Sequence, residues 1–241
     1  MKIILTTSAL LLAATGAMAQ GFSGATVGID YHEFSNFSDT NTTKFFGSAE
    51  FEIGNGFSVA ADVSTRSFEG VSDDLTNIVV HGIYALSPET KLGVYVGRES
   101  DGAEDIDNYG IEIAYAAGLF NGEAYLGASD APDGTDLRYF GLSGGARISG
   151  GFSVNAGYDS VTFDETLADI TFSTLEFGGE FALSNGAALY AKAGNLKVET
   201  GGLSDDEDYF SLGATVSFGP QGGTTFGPRG LFEIIKASFA G

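Results

Sequence analysis

The sequence has no cysteine and no tryptophan, and only four prolines and eleven basic residues among its 241 residues. Without cysteine there is no disulfide framework, no thiolate zinc site and no cysteine nucleophile. Scarce proline beside 36 glycines is typical of closely packed, curved strands rather than of a disordered linker. Nucleic-acid binding needs lysine and arginine to displace counterions, so a formal charge of −21 argues strongly against that function.

Long hydrophobic runs are also missing, except for one near the N-terminus. Lys2, the apolar run 3–14 and the Ala-Met-Ala sequence at 17–19 have the order of a secretory signal peptide. The run is too short to cross a bilayer comfortably as a helix. The sequence therefore predicts that residues 1–19 are removed, and that an exported, unlipidated chain begins at Gln20.

Alternation of apolar with small or polar residues fills the rest of the chain, in twelve stretches. Successive side chains of a strand point to opposite faces, so each stretch predicts a strand with one apolar face. Five connections are short turns, predicted at 54–56, 87–90, 121–122, 149–151 and 184–186. The other six are longer and hold most of the acidic residues, including predicted loops at 99–107 and 199–208.

An even number of strands, with short turns at one end and long acidic loops at the other, is typical of a transmembrane barrel. A sheet can span lipid only if it closes on itself, because lipid offers no partners for free backbone groups. A soluble two-sheet sandwich also has alternating strands, but it does not explain why every second connection is long and acidic. We predict an all-β, antiparallel up-and-down barrel of about twelve strands over residues 20–218.

A C-terminal extension follows at 219–241. Phe232, Ile235 and Phe239 fall at helical spacing, which indicates a short helix. Three placements are open for this extension: in the periplasm, at the membrane interface, or in the barrel as a plug.

Strand parity places many charged residues on the face opposite the apolar one, so that they would line a pore. These are Asp30, Glu50, Asp62, Arg66, Glu112, Arg147, Glu176, Glu180 and Lys192. Twelve strands ~4.8 Å apart and tilted by ~40° give a backbone radius of roughly 12 Å. The sequence thus predicts a narrow aqueous passage with a net negative wall, unless the extension or a loop fills it.

Residues suited to catalysis are few. His32 and His81 lie on the inward face by parity, where solvated wall histidines are the simplest interpretation. The sequence Gly-Leu-Ser-Gly-Gly at 141–145 matches a nucleophile elbow formally, but that motif needs a strand, a turn and a helix, whereas here it lies inside a strand. The sequence favours a protein that is not an enzyme and has no cofactor.

The acidic loops could contact divalent cations weakly. Asp105, Asp107, Asp205 and Asp206 offer the hard oxygen ligands that Ca²⁺ and Mg²⁺ prefer. Solvated acidic loops are the simpler alternative, and the sequence predicts no firm metal site.

Ser211, Gly213, Val216 and Phe218 follow the pattern polar-x-Gly-x-x-apolar-x-aromatic at the end of the last predicted strand. The outer-membrane assembly machinery reads such a signal. With this signal, the signal peptide and the twelve strands, the sequence resembles Gram-negative porins, especially small, glycine-rich, acidic porin-like proteins of alphaproteobacteria. The resemblance implies an outer-membrane location, with lipid and lipopolysaccharide around the barrel, and passive diffusion of small hydrophilic solutes.

The acidic wall and loops favour cations among those solutes. Two other functions are kept as alternatives: a closed barrel with a structural or surface-interaction role, and an outer-membrane lipid hydrolase. The solute, and any association into homo-oligomers, stay open.

Overall fold

The computed structural model describes residues 21–35, 41–69, 74–130, 135–164 and 168–235. The predicted signal peptide and Phe239 lie outside these ranges. Twelve strands are present: β1 (Phe22–Phe34), β2 (Thr42–Gly54), β3 (Phe57–Phe68), β4 (Leu75–Ala85), β5 (Thr90–Ser100), β6 (Asp105–Ala117), β7 (Phe120–Asp130), β8 (Asp136–Ser149), β9 (Phe152–Asp164), β10 (Ile170–Ala182), β11 (Ala187–Thr200) and β12 (Leu203–Phe218). Each strand pairs antiparallel with the next, and β1 pairs with β12. The prediction of a closed twelve-stranded up-and-down barrel is confirmed.

Alternation within each strand separates two environments. In β4, Asn77, Val79 and His81 point inward and are buried, whereas Ile78 and Val80 point outward and are 52% and 43% exposed. Exposed aliphatic and aromatic side chains recur on the outer face of the other strands, as a surface in contact with lipid requires. Among the described residues, no helix has the length and apolar character to cross a membrane.

The end of the barrel with the five short connections is called the turn end below. Its connections lie at 55–56, 86–89, 118–119, 150–151 and 183–186, and β1 begins and β12 ends there. Asn55 and Asn185 adopt positive φ angles of 56° and 66°, which asparagine tolerates better than most residues. The predicted turn at 121–122 is wrong, since Gly118, with φ of 61°, makes that turn and Asn121 lies within β7.

At the opposite end, called the loop end, the two connections that the structure describes in full are shorter than predicted. The predicted loop at 199–208 is wrong: β11 and β12 continue as a paired ribbon to the turn at Gly201 and Gly202, whose φ angles are 56° and 86°. The acidic side chains of this ribbon are mostly exposed, so their place on strands carries little desolvation cost. The predicted loop at 99–107 shrinks to residues 101–104, and Glu99 belongs to β5.

After Phe218 the chain turns back into the barrel. Gly219, Gly222 and Gly223 take positive φ angles in this reversal, and the Gln221 N–H donates to the Ser23 carbonyl at 2.8 Å. A helical turn, α1 (Leu231–Ile235), follows and packs inside the barrel against β9 and β10. Residues 219–235 are called the lumen segment below: 219–222 are exposed at the turn end, and 223–235 extend into the interior, which is the plug placement among the three left open by the sequence.

Candidate functional site: the occupied lumen

The lumen segment runs from the turn end towards the loop end, and the wall binds its backbone along the way. Near the turn end, the Thr225 N–H donates to Glu50 Oε2 at 2.7 Å. Farther from the turn end, the Asn77 side chain donates to the Arg229 carbonyl at 2.7 Å. Near the loop end, Thr174 Oγ1 donates to the Ile234 carbonyl at 2.7 Å. The wall therefore satisfies backbone groups that water would otherwise have to reach.

A chain of charged groups crosses the acidic side of the lumen. His81 lies between two carboxylates, with Asp62 Oδ2 2.6 Å from Nε2 and Glu112 Oε1 2.6 Å from Nδ1. The other oxygen of Glu112 lies 3.0 Å from Nε of Arg229, whose Nη2 lies 3.3 Å from Glu123 Oε2. The Arg229 guanidinium also lies 4.4 Å from the centre of the Tyr125 ring. Arg229 is only 3% exposed, so these partners replace its water.

Nearer the loop end, basic side chains of the wall face the lumen segment. Lys44 on β2 forms an ion pair with Glu233 of α1. Arg66 Nη2 on β3 lies 3.8 Å from the same carboxylate, and Ser64 Oγ donates to it at 3.3 Å. The wall thus offers an acidic set to Arg229 and a basic set to Glu233, and the segment carries the complementary charge at each level.

Apolar contacts hold α1 itself. Leu231, Ile234 and Ile235 are 4%, 0% and 0% exposed, and they belong to one cluster with inward residues of the wall. That wall surface comprises Val79, Tyr95, Tyr125, Leu137, Tyr139, Val161 and Phe172. Burying three aliphatic side chains stabilises the position of α1 by roughly 5 to 9 kcal/mol. The position of α1 inside the barrel is therefore the stable one in this state.

The lumen remains partly accessible on the β8–β11 side of the turn end. Glu176, Glu180 and Lys192 are half-buried there, and Arg147 is exposed. Lys192 Nζ donates to Glu176 Oε1 at 2.7 Å. Towards the loop end, the inward side chains of Phe34, Leu196 and Tyr209 on β1, β11 and β12 form a buried cluster. The barrel therefore has an accessible space at the turn end, called the vestibule below, and the lumen segment fills the half of the lumen nearer the loop end.

All nine residues predicted to line a pore lie on the inward face. Asp30, Glu50, Asp62, Arg66 and Glu112 are 8% exposed or less. Four of these five face the lumen segment or the charged groups bound to it, so at their level the lumen is filled rather than open. The half-buried glutamates and Lys192 line the vestibule instead.

Sequence reasoning missed four charged residues of this site. Lys44 shares the inward parity of Ser48 and Glu50, and parity extended to the strand ends would have found it. Glu99 was assigned to a loop, but it is fully buried and accepts the backbone N–H groups of Leu231 and Phe232. Arg229 and Glu233 had only one signal, their charges within a mostly uncharged extension.

The other predicted residues lie as follows. Ser211, Gly213, Val216 and Phe218 occupy β12, and Phe218 ends it beside Ala25 of β1. Asp105 and Asp107 lie beside Arg98, with Asp107 Oδ1 2.6 Å from its Nε. Asp206 accepts from the Asn195 side chain at 3.2 Å. Within the described ranges, no three carboxylates or histidines converge as a metal site would require.

No family model matches the sequence, and no curated protein matches it either. Solved structures do match. The NanC porin aligns with a TM-score of 0.62 at 8% identity, covering 79% of this chain and 98% of its own. The KdgM porin gives 0.56 at 10% identity, with 80% and 99% covered. CymD, a monoaromatic hydrocarbon channel, gives 0.54 at 9% identity, with 84% and 90% covered. At these identities the likeness is one of fold: the chain has the twelve-stranded barrel fold of outer-membrane porins.

Proposed function

We propose that the protein is an outer-membrane porin for small hydrophilic solutes, held closed in this state by its own lumen segment. One observation carries the proposal: the barrel is complete without that segment. Every strand edge is paired, including β1 with β12, and no residue of 219–235 belongs to the sheet. Removal of the segment would leave a closed wall around a charged passage, which is the architecture of a diffusion channel.

A preference for cations forms part of the proposal. The inward carboxylates of the described strands include Asp30, Glu50, Asp62, Glu99, Glu112, Glu123, Asp159, Glu176, Glu180 and Glu207, and they oppose five inward bases (Lys44, Arg66, Lys91, Arg147 and Lys192). The lumen segment adds one charged residue of each sign in the barrel, so its departure leaves the acidic excess in place. Fixed carboxylates in a narrow passage attract cations and repel anions.

No catalytic role is proposed. Both ring nitrogens of His81 lie within 2.6 Å of carboxylate oxygens, which leaves neither free to activate a nucleophile. Ser143, in the formal nucleophile-elbow sequence, lies within β8 and lacks the sharp turn that such a nucleophile needs. Contacts with lipopolysaccharide, bridged weakly by divalent cations at Asp105, Asp107, Asp205 and Asp206, also belong to the proposal, as does recognition of β12 by the assembly machinery.

Planar-bilayer recording of three refolded proteins tests the proposal. The mature chain and a variant ending at Ile235 should be closed or open only briefly, whereas a variant ending at Phe218 should conduct steadily and select cations. The variant ending at Ile235 is the matched control, since it loses the residues after α1 and keeps the plug. A folded Phe218 variant that does not conduct would contradict the channel.

The second candidate is a closed barrel with a structural or surface-interaction role. The complete burial of Ile234 and Ile235 favours it, because a plug with an apolar core is costly to displace. The same recording separates the two candidates: a structural barrel would stay silent even without the segment.

A further inference from the structure

The two carboxylates that bind Arg229, and the aromatic ring closest to it, belong to the barrel wall. Within the lumen segment, Arg229 Nη1 donates to the Pro228 carbonyl at 3.4 Å, and the centre of the Phe226 ring lies 5.9 Å from the guanidinium carbon. Glu112 lies on β6, while Glu123 and Tyr125 lie on β7. Glu112 is held in turn by His81 and Asp62 on β4 and β3. The site is thus built from β3, β4, β6 and β7, and the contact between His81 and Glu112 is made within the wall, independently of the group that occupies the site.

The chemistry of this site matches a guanidinium group specifically. Glu112 and Glu123 meet different edges of the planar group, at 3.0 Å and 3.3 Å, and the Tyr125 ring covers one face at 4.4 Å. A guanidinium has five donors in a fixed plane and stacks on aromatic rings, whereas an ammonium is a compact point charge. A simple monovalent cation would leave at least one of these contacts unmade.

The site also has a route to water. The Glu123 side chain is 25% exposed, although Arg229 beside it is almost fully enclosed. Glu123 lies three residues from the start of β7, at the turn end, where the vestibule opens. A small solute in the vestibule would therefore reach Glu123 first.

We infer that Glu112, Glu123 and Tyr125 form a recognition site for solutes that carry a guanidinium group, and that Arg229 occupies this site when the barrel is closed. The inference rests on the proposed function in one respect, since transport would require solutes to enter the lumen. Arg229 is then an intramolecular competitor. Its tether gives it a high effective concentration, so free solutes bind measurably only after its side chain is removed.

Chemical rescue of Arg229→Ala tests the site without requiring conduction. The substitution leaves Glu112 and Glu123 buried without their cation, so the unfolding midpoint of the refolded barrel should fall. Argininamide at roughly millimolar concentration, too dilute to denature, should raise that midpoint again. Lysinamide, of equal charge, should bind about tenfold more weakly, because one charge-assisted hydrogen bond accounts for such a factor.

Two controls fix the location of any rescue. Arg98→Ala removes an exposed arginine paired with Asp107, and argininamide should not affect that variant. Adding Glu112→Gln and Glu123→Gln to Arg229→Ala should abolish the rescue. If Arg229→Ala refolds poorly, the refolding yield with and without argininamide becomes the readout, with Arg229→Lys as the folded reference.

Equal effects of argininamide and lysinamide, no effect of either, or rescue that survives the two glutamine substitutions would each overturn the inference. Its failure is distinct from failure of the channel. Rescue in a barrel that never conducts would leave the recognition site standing and contradict the porin, whereas conduction by the Phe218 variant without rescue would do the reverse.

Discussion

Glu99 Oε2 accepts the backbone N–H of Leu231 at 2.6 Å, and its other oxygen accepts the N–H of Phe232 at 3.1 Å. Glu99 is fully buried on the inner wall of β5. A single wall carboxylate therefore fixes the start of α1, using the backbone groups that a helix leaves without partners in its first turn.

Glu99→Ala should consequently loosen the lumen segment. Loss of the Glu99 carboxyl leaves the N–H groups of Leu231 and Phe232 without their acceptor, which should lower the free energy of unfolding by about 2 to 3 kcal/mol. In bilayers the variant should open more often than the mature chain. Glu104→Ala, in the exposed loop after β5, is the matched control and should change neither thermal unfolding nor conductance. A Glu99→Ala barrel as quiet and as stable as the control would show that Glu99 does not hold the segment.

A disulfide can test whether the segment must move for conduction. Ser48 Oγ on β2 and Thr224 Oγ1 on the segment lie 3.0 Å apart, and the chain has no cysteine of its own. Ser48→Cys with Thr224→Cys, placed in Glu99→Ala, should close the channel when oxidised and release it when reduced. The recording is made on one bilayer before and after a reductant is added.

The control for this experiment joins two wall strands. Thr162 on β9 and Thr171 on β10 also place their hydroxyl oxygens 3.0 Å apart. With a cysteine pair at these two positions, the conductance should be the same under oxidising and reducing conditions. Equal openings in the oxidised and reduced Ser48–Thr224 pair would mean that ions pass without displacement of the segment at that level.

The barrel could be predicted from the sequence because lipid leaves a strand few choices. Residues such as Ile78 and Val80 must face lipid, so period-2 alternation fixes the faces of β4 even where Val79 makes the pattern locally apolar. Val79 belongs to the buried cluster that includes Leu231 and Ile234 of α1, an environment that no local pattern contains.

The occupied lumen could not be predicted in the same way. Its contacts join residues far apart in sequence, such as Lys44 with Glu233 and Glu112 with Arg229, and nothing in a single sequence specifies such pairs. The extension gave a helix signal at Phe232 and Ile235, but hydrophobicity alone fits an interface, a periplasmic surface or a barrel interior. The prediction of a loop at 199–208 was wrong for a related reason, since acidic residues are usual in loops but are also stable on an exposed ribbon.

Lys192 and Glu176 provide a test of ion selectivity in the variant ending at Phe218. They form an ion pair at 2.7 Å, and Tyr209 donates to the other Glu176 oxygen at 3.1 Å. At ~6 Å a unit charge and a monovalent ion interact by about 0.7 kcal/mol in water and roughly 3 kcal/mol at an effective dielectric of 20. Glu176→Gln should therefore free the charge of Lys192 and shift the reversal potential towards anions.

Four further variants fix the sign and the location of that shift. Lys192→Met should move the reversal potential towards cations, and the double variant Glu176→Gln with Lys192→Met should lie near the parent. Glu180→Gln should lower cation preference without releasing a base. Neutralising Asp205 and Asp206 should have less effect, because exposed charges farther than ~8 Å from the path are screened at physiological salt. An unchanged reversal potential in Glu176→Gln would place this ion pair away from the conducting path.

Phe218 lies where the barrel closes. It ends β12 beside Ala25 of β1, and its ring stacks on that of Phe22 at 6.2 Å between centroids, while Phe22 meets Phe51 at 5.6 Å. Phe218→Ser removes this stack and the terminal aromatic of the proposed assembly signal. Loss of the aromatic contact costs the seam about 0.5 to 1.5 kcal/mol, too little to prevent folding.

We therefore expect Phe218→Ser to refold nearly normally in detergent, while its insertion into the outer membrane of cells falls several-fold. Phe210→Ser is the matched control, since Phe210 lies on the lipid-facing side of the same strand outside the signal and is 45% exposed. Heat-modifiable barrel in membrane fractions, measured against total protein, is the readout. Equal insertion of the two variants would mean that Phe218 acts only through packing at the seam and not as a signal.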